Sequence, residues 1–294
     1  MPSTAAYRIV KLASGVHSVH SVAHRETFHP VIGPVAEAQA LYVRQLRLPE
    51  RMAAHSGEFV IWDVGLGAAA NVLTVLRATR SAKCPLRIIS FDHTVEPLQF
   101  ALANAEILGY FDDYEKSVAT LLRDHSVQFT DAGHEVNWEL HLGDFPTFLA
   151  STLAHPPVQS LPAPHVILFD AFSPAKNPAM WTQPLFANLF RLLDPARPCA
   201  LPTYSRSTML RVSLLLAGFY VGAGHATGEK EETTIAANTP DLITEPLDAQ
   251  WLRRARNSTS AEPLWEPVYR QAPLSPDTWE KLQQHPQFSG RGSF

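Results

Sequence analysis

The hydrophobic pattern divides the chain into short apolar runs separated by segments whose apolar residues recur every three or four positions. Val16 to Val22 alternates apolar with polar and predicts a short hairpin or edge strand, which the loop through Pro30, Gly33 and Pro34 ends. A helix is expected over 35–48, starting after Pro34 and stopping before Pro49. Phe59, Val60, Ile61 and Trp62 then run into Asp63, Gly65 and Gly67, beyond which Val72, Leu73 and Leu76 fall at helical spacing. That stretch reads as strand, tight turn, helix. A second buried strand covers 86–92 and ends on Asp92; helical pieces follow over 96–108 and 112–122. Strands over 126–129 and 136–142, split by Asp131-Ala132-Gly133, suggest a hairpin closed by Gly143-Asp144, with a short helix from Phe145. His165 to Asp170 is another buried strand, followed by a helix over 184–193, a strand over 199–204, a helix over 207–216 stopped by Gly218, and a strand pair at 219–221 and 233–237.

Strands that alternate with helices predict an α/β chain, with a Rossmann-like, mostly parallel sheet carrying helices on both faces. The organisation expected is an N-terminal hairpin and loop over 1–34, an α/β domain over 35–237, and a proline-rich extension over 238–294. The extension shows no long periodic element. It is expected to pack through Trp251, Trp265 and Trp279, and it carries the basic cluster Arg253, Arg254 and Arg256.

Composition narrows the class. The chain has 294 residues, 46% of them hydrophobic, and its longest apolar run, Val212 to Val221, is too short to span a bilayer. There is no charged N-terminal region ahead of an apolar stretch, and Cys84 and Cys199 make no disulfide framework, so a cytoplasmic protein without a membrane partner is expected. A net charge of −4 does not mark a nucleic-acid binder as a whole, although a local basic patch is compatible with it. His17, His20, His24 and His29 cluster in sequence, but no cysteine or acid stands at metal-ligand spacing, so they are read as surface or pocket histidines and no metal is expected.

The chemistry gathers at strand ends. Gly65 and Gly67 permit a positive φ and close approach of a ligand, and the following helix offers unpaired N–H groups to an anion or carboxylate. Two readings of the turn stand side by side. Gly65-x-Gly67-x-x-Ala70 satisfies a permissive dinucleotide fingerprint, implying an NAD-dependent oxidoreductase. Asp63-x-Gly65-x-Gly67 places an acid two residues before the first glycine, as S-adenosyl-L-methionine (SAM) methyltransferases do; Asp63 would then take the ammonium of the methionine part and the helix start its carboxylate. Asp92 suits ribose hydroxyls in both readings. Asp144 stands where SAM enzymes place a side chain near the adenine amino group. With Asp170, these acids would line one crevice at the carboxyl ends of parallel strands.

The segment from Asp170 through Phe172, Pro174, Lys176, Asn177, Pro178 and Met180 to Trp181 resembles, almost residue for residue, a motif of the methyltransferase half of the bifunctional tRNA 5-methylaminomethyl-2-thiouridine biosynthesis proteins (MnmC) and their stand-alone relatives. The resemblance covers roughly 15–237 and is supported by the Asp63-x-Gly65-x-Gly67 turn with Asn71 after it, by Asp92, by Gly143-Asp144 and by Gly228-x-Lys230. It implies methyl transfer from SAM to the aminomethyl nitrogen of a modified wobble uridine in tRNA. Asp170 would be the catalytic acid; Asp63, Gly65, Gly67, Asn71, Asp92 and Asp144 would bind the cofactor; Phe172, Lys176, Asn177, Trp181 and Lys230 would meet the substrate. Phe172 and Trp181 would either stack on a splayed base or serve as core aromatics. No FAD is expected, and a separate flavin oxidase or wobble-modification enzyme would act upstream. Three departures stand out: Ala69 replaces a family glycine, Ala171 replaces another, and the late basic stretch is reduced to residues 224–230, which weakens the case for RNA more than for methyl transfer. A descendant that binds SAM or RNA without turnover is the remaining alternative.

Overall fold

The computed structural model describes residues 6–155, 161–228 and 231–289, which fall into two compact units. The first comprises the chain up to Phe145, with Val166–Asp170 and His225–Glu231. It opens with an antiparallel three-stranded sheet of β1 (Tyr7–Lys11), β2 (His17–Ser21) and β3 (Glu26–Thr27), so the expected hairpin is present with one strand more on its N-terminal side. The helix predicted over 35–48 is broken differently. Pro34 opens α1 (Pro34–Ala38), a π-helical turn spans Gln39–Arg44, and α2 (Leu48–Ala53) carries Pro49 in its first turn. Proline lacks only an N–H that a first turn leaves unpaired, so Pro49 begins a helix where it was expected to stop one.

The main sheet of this unit runs β8-β4-β5-β7-β6, from β4 (Phe59–Val64), β5 (Leu86–Asp92), β6 (Ser126–Asp131), β7 (His134–Leu142) and β8 (Val166–Phe169). The β8/β4, β4/β5 and β5/β7 pairs are parallel; β6 pairs antiparallel with β7. All six residues of β4 and all four of β8 are buried, as central parallel strands require, and each large apolar side chain removed from water contributes roughly 1.5–3 kcal/mol. α3 (Ala70–Thr79) connects β4 to β5, and α1 and the π turn pack against it. The helix predicted over 96–108 is divided at Asn104 into α4 (Glu96–Ala103) and α5 (Ala105–Leu108); the Asn104 amide donates to the Phe100 carbonyl at 2.8 Å. α6 (Glu115–Asp124) leads into the β6–β7 hairpin, whose Ala132 and Gly133 both take positive φ, matching the twist of a two-residue turn.

The second unit holds Pro146–His165, Ala171–Gly224 and Glu232–Phe294. α7 (Phe145–Ala154) enters it, and α8 (Gln183–Leu192) starts at Thr182, whose hydroxyl accepts from the Leu185 N–H. β9 (Ala200–Thr203), β10 (Tyr220–Gly224) and β11 (Thr233–Ala237) form an antiparallel set in the order β10-β11-β9. α9 (Thr208–Ala217) stops at Gly218, where φ is 108° and a Cβ would stand 2.9 Å from the Phe190 ring. The C-terminal segment is more ordered than its pattern suggests: α10 (Ala249–Arg256), α11 (Pro276–Gln283) and α12 (Pro286–Ser289) are short, and Asp248 and Ser275 cap the first two. The Gln287 amide accepts from the Val221 N–H and donates to the carbonyls of Val221 and Leu247, fixing the segment to β10. Trp251 is buried and Trp279 half-buried under the Arg256 guanidinium, but Trp265 is 42% exposed. Packing through all three indoles was expected; Trp265 departs from it, its N–H donating to Glu262 Oε1 at 3.0 Å and its ring facing the Lys281 ammonium.

Candidate active site

β4 lies where the strand order reverses, with β5 on one side and β8 on the other, and ligands of open α/β sheets bind at the carboxyl ends flanking such a strand. The glycine turn follows β4. Gly65 and Gly67 take φ of 93° and 52°, as the sequence required, and a Cβ added at Gly67 would sit 3.2 Å from the Phe28 ring. Ala69 also takes a left-handed conformation, φ 61° and ψ 12°, at the N-cap of α3, although it carries a side chain.

Asp63 is 1% exposed. Its Oδ2 accepts from the Ser90 hydroxyl at 2.8 Å, and Ser90 in turn accepts from the Trp138 indole N–H at 2.9 Å. Its Oδ1 is buried with no hydrogen-bond partner among the described residues. Burial pushes the Asp63 carboxyl up to about 7; the Ser90 bond opposes this, and the charges of Asp170 and Asp92 add to it. A buried carboxylate with one unsatisfied oxygen fits the ammonium of a bound SAM. Neither Ser90 nor Trp138 stood out in the sequence, because an alternating strand pattern does not show which inward residue hydrogen-bonds across strands.

Asp92 ends β5. Its Oδ2 accepts from the Gly67 N–H at 2.8 Å and its Oδ1 from the N–H groups of His93 and Thr94 at 2.7 and 3.2 Å. Burial pushes its carboxyl above the ordinary value, and the three backbone donors oppose that. It therefore closes the glycine turn as well as standing at the crevice. Asp144, two residues beyond β7, is exposed.

Asp170 follows β8, its N–H donating to the Val64 carbonyl at 3.0 Å. The Asn71 amide donates to Asp170 Oδ2 at 2.7 Å, which places Asn71 on the expected catalytic acid instead of open to the cofactor alone; its own Oδ1 is buried without a hydrogen-bond partner among the described residues. His29 Nε2 lies 3.6 Å from the same Oδ2, and His29 Nδ1 lies 3.6 Å from Glu37 Oε1. The sequence left His29 as a surface or pocket histidine and did not single out Glu37, since a histidine in a run of four and a glutamate on a helix carry no distinguishing pattern.

In the second unit, Phe172 is half-buried, Lys176 exposed and Asn177 half-buried. Trp181 is fully buried, its indole N–H donating to the Phe172 carbonyl at 2.7 Å and its ring edge-on to Tyr204. A ring with no exposed surface cannot stack on a base, so of the two readings of Trp181 the core aromatic is the one found: it holds the loop that follows Asp170. Lys230 lies outside the described residues.

A sequence model of a family described as S-adenosyl-L-methionine-dependent methyltransferase matches residues 110–239. The chain is a SAM-dependent methyltransferase. More particularly, it is MnmC-like. It is 32% identical over 232 residues to the tRNA 5-methylaminomethyl-2-thiouridine biosynthesis bifunctional protein MnmC of Aeromonas hydrophila, an alignment covering 75% of this chain and 34% of that protein. It is 28% identical over 246 residues to the protein of the same name from Methylibium petroleiphilum, covering 81% and 35%. The chain thus spans about a third of the length of these relatives. The crystal structure of MnmC2 from Aquifex aeolicus shares the fold, with a TM-score of 0.68 at 23% identity over 97% of this chain and 85% of that one.

Proposed function

We propose that the protein transfers a methyl group from SAM to the 5-aminomethyl nitrogen of a modified wobble uridine in tRNA. The observation that carries the reading is Asp170 at the end of β8, its carboxylate held by the Asn71 amide and set beside the buried acid of β4. The relatives' names supply the substrate class.

In this reading Asp63 and the N-terminus of α3 hold the methionine part of SAM, Asp92 the ribose, and Asp144 the adenine edge, with Gly65 and Gly67 giving close approach and Asn71 bridging to Asp170. SAM supplies an electrophilic methyl group on a sulfonium. An aminomethyl group is an ammonium at neutral pH and has no lone pair, so the protein must orient the nitrogen and accept its proton. Asp170 is suited to both tasks as a carboxylate anchored on one oxygen. Phe172, Lys176 and Asn177 on the following loop, with Lys230, are assigned to the RNA; Trp181 keeps that loop in shape. The acceptor amine is made beforehand, by a flavin oxidase or another wobble-modifying activity. No helix among the described residues is long and apolar enough to cross a membrane; we assign the protein to the cytoplasm, where its substrate would be found.

The test is calorimetric titration with SAM and with NAD, followed by methyl transfer from labelled SAM to tRNA lacking the terminal methyl group. Binding of SAM alone and labelling of the tRNA support the reading. SAM binding without transfer to any tRNA would mark a non-catalytic descendant.

A further inference from the structure

We infer that His29, gripped between Asp170 and Glu37, is the proton partner of Asp170 and a positioning residue for the methyl-transfer reaction; this rests on the function proposed above. His29 is drawn into the first unit by its neighbours. The Phe28 N–H donates to the Val19 carbonyl at 2.8 Å, the Ser18 hydroxyl donates to the Phe28 carbonyl, and the Phe28 ring lies over the Gly67 turn. His29 itself takes φ 49° immediately before Pro30, a left-handed conformation that costs free energy in a residue with a side chain and is retained only where surroundings over-determine it. The result is an imidazole whose side chain is 9% exposed, with one ring nitrogen 3.6 Å from a carboxylate of 14% side-chain exposure and the other 3.6 Å from one of 8%.

Glu37 on α1 and Asp170 after β8 face the ring at ion-pair distance, both acids, and Asp170 in turn acts electrostatically on the buried Asp63, as Asp92 does. Two anions facing one imidazole stabilise the charge it gains when, starting as the neutral ring, it takes up a proton. A carboxylate alone is a weak base toward an alkyl ammonium, whereas an imidazole normally titrates near neutrality and is better matched to take up the proton. The step balances without a further reagent. An N–H bond of the substrate ammonium breaks, its electron pair remains on nitrogen as the lone pair that methylation needs, and the proton passes to the Asp170 carboxylate and on to the unprotonated Nε2 of a neutral His29 ring, whose Nδ1–H faces Glu37. The imidazolium formed is held by Asp170 and Glu37 until it releases the proton to water. Asn71, donating to the same Asp170 oxygen, keeps the carboxylate aligned with the ring throughout.

Two measurements test this. First, the His29 imidazole is titrated by ¹⁵N–¹H correlation spectroscopy in wild type, Asp170→Asn and Glu37→Gln. The titration is expected to move to lower pH in both variants; an unchanged midpoint in both overturns the inference whatever the enzyme methylates. Second, pH–rate profiles of methyl transfer are compared for wild type and His29→Gln, with SAM affinity and thermal unfolding measured alongside. The expected result is intact SAM binding and folding, a rate lower by about 10²-fold at neutral pH, and a loss that shrinks as pH rises, the behaviour of a missing proton acceptor. A His29→Gln profile that parallels wild type would overturn the inference while leaving the methyltransferase reading in place, and a wild-type protein with no transfer would overturn that reading instead.

Discussion

Asp63→Asn tests whether the buried acid beneath the glycine turn has the electrostatic character assigned to it. Asparagine keeps the volume and can still accept from Ser90, but it removes a carboxylate that is 1% exposed and pushed up to about 7 from an ordinary 3.8. A shift of about three units corresponds to about 4 kcal/mol, at 1.36 kcal/mol per unit, between the two protonation states. The sign follows from linkage. Below the ordinary value the acid is neutral in both folded and unfolded chains and costs nothing. As pH rises from 3.8 toward 7 the unfolded chain loses its proton first, so stability falls across that window and the full cost is present above it. Asp63→Asn should therefore match wild type, or fall slightly below it, near pH 4, and exceed it near pH 8 by a few kcal/mol. Urea denaturation across this range measures both. The same acid makes SAM binding proton-linked: a cation brought to Oδ1 restores ionisation, so wild type at pH 6 should release protons on binding SAM, read by calorimetry in buffers of different ionisation enthalpy, and Asp63→Asn should release far fewer. Parallel stability curves for the two proteins, with no proton released, would refute the assignment of an ammonium-seeking acid.

Other consequences follow at neighbouring positions. Asp170→Asn should leave SAM affinity nearly intact and slow methyl transfer by a factor on the order of 10²–10⁴, with wild type and variant converging at high pH; equal rates at neutral pH would take the acid out of the mechanism. At Ala69, relief of a left-handed conformation worth roughly 1–2 kcal/mol offsets the lost methyl burial and the flexibility of glycine, so Ala69→Gly should change stability by less than about 1 kcal/mol. Ala70→Gly, one residue on and in helical backbone, should cost about 2 kcal/mol, and equal losses at both sites in urea titrations would contradict the strain argument. Arg253, Arg254 and Arg256 all lie exposed on α10; neutralising all three should flatten the salt dependence of tRNA binding, by somewhat under one unit of slope per lost phosphate contact, and an unchanged slope would return them to a solvated surface.

The strands and their acids were legible because buried parallel strands read as unbroken apolar runs, against which the polar residue closing each run, Asp63, Asp92 or Asp170, stands out. The hairpin turn at Ala132-Gly133 and the stop at Gly218 were legible through glycine. What escaped depended on partners distant in sequence. His29 meets Asp170 across 141 positions, and the Trp138–Ser90–Asp63 chain joins three strands, so no local period reports either. Pro49 misled because a proline that ends one helix and one that begins the next look alike until the preceding turn is known. The C-terminal helices are too short to show a period, although Asp248 and Ser275 were available as capping signals.

The central claim, SAM-dependent methylation of an aminomethyl nitrogen on a wobble uridine, is tested most directly by nucleoside mass spectrometry. Transfer RNA carrying the 5-aminomethyl wobble uridine is incubated with the protein and methyl-labelled SAM, digested, and its nucleosides weighed. The account predicts one labelled methyl group on the aminomethyl nucleoside, and none when Asp170→Asn replaces wild type over the same interval at neutral pH. An aminomethyl nucleoside left unlabelled by a wild-type protein that binds SAM would contradict it.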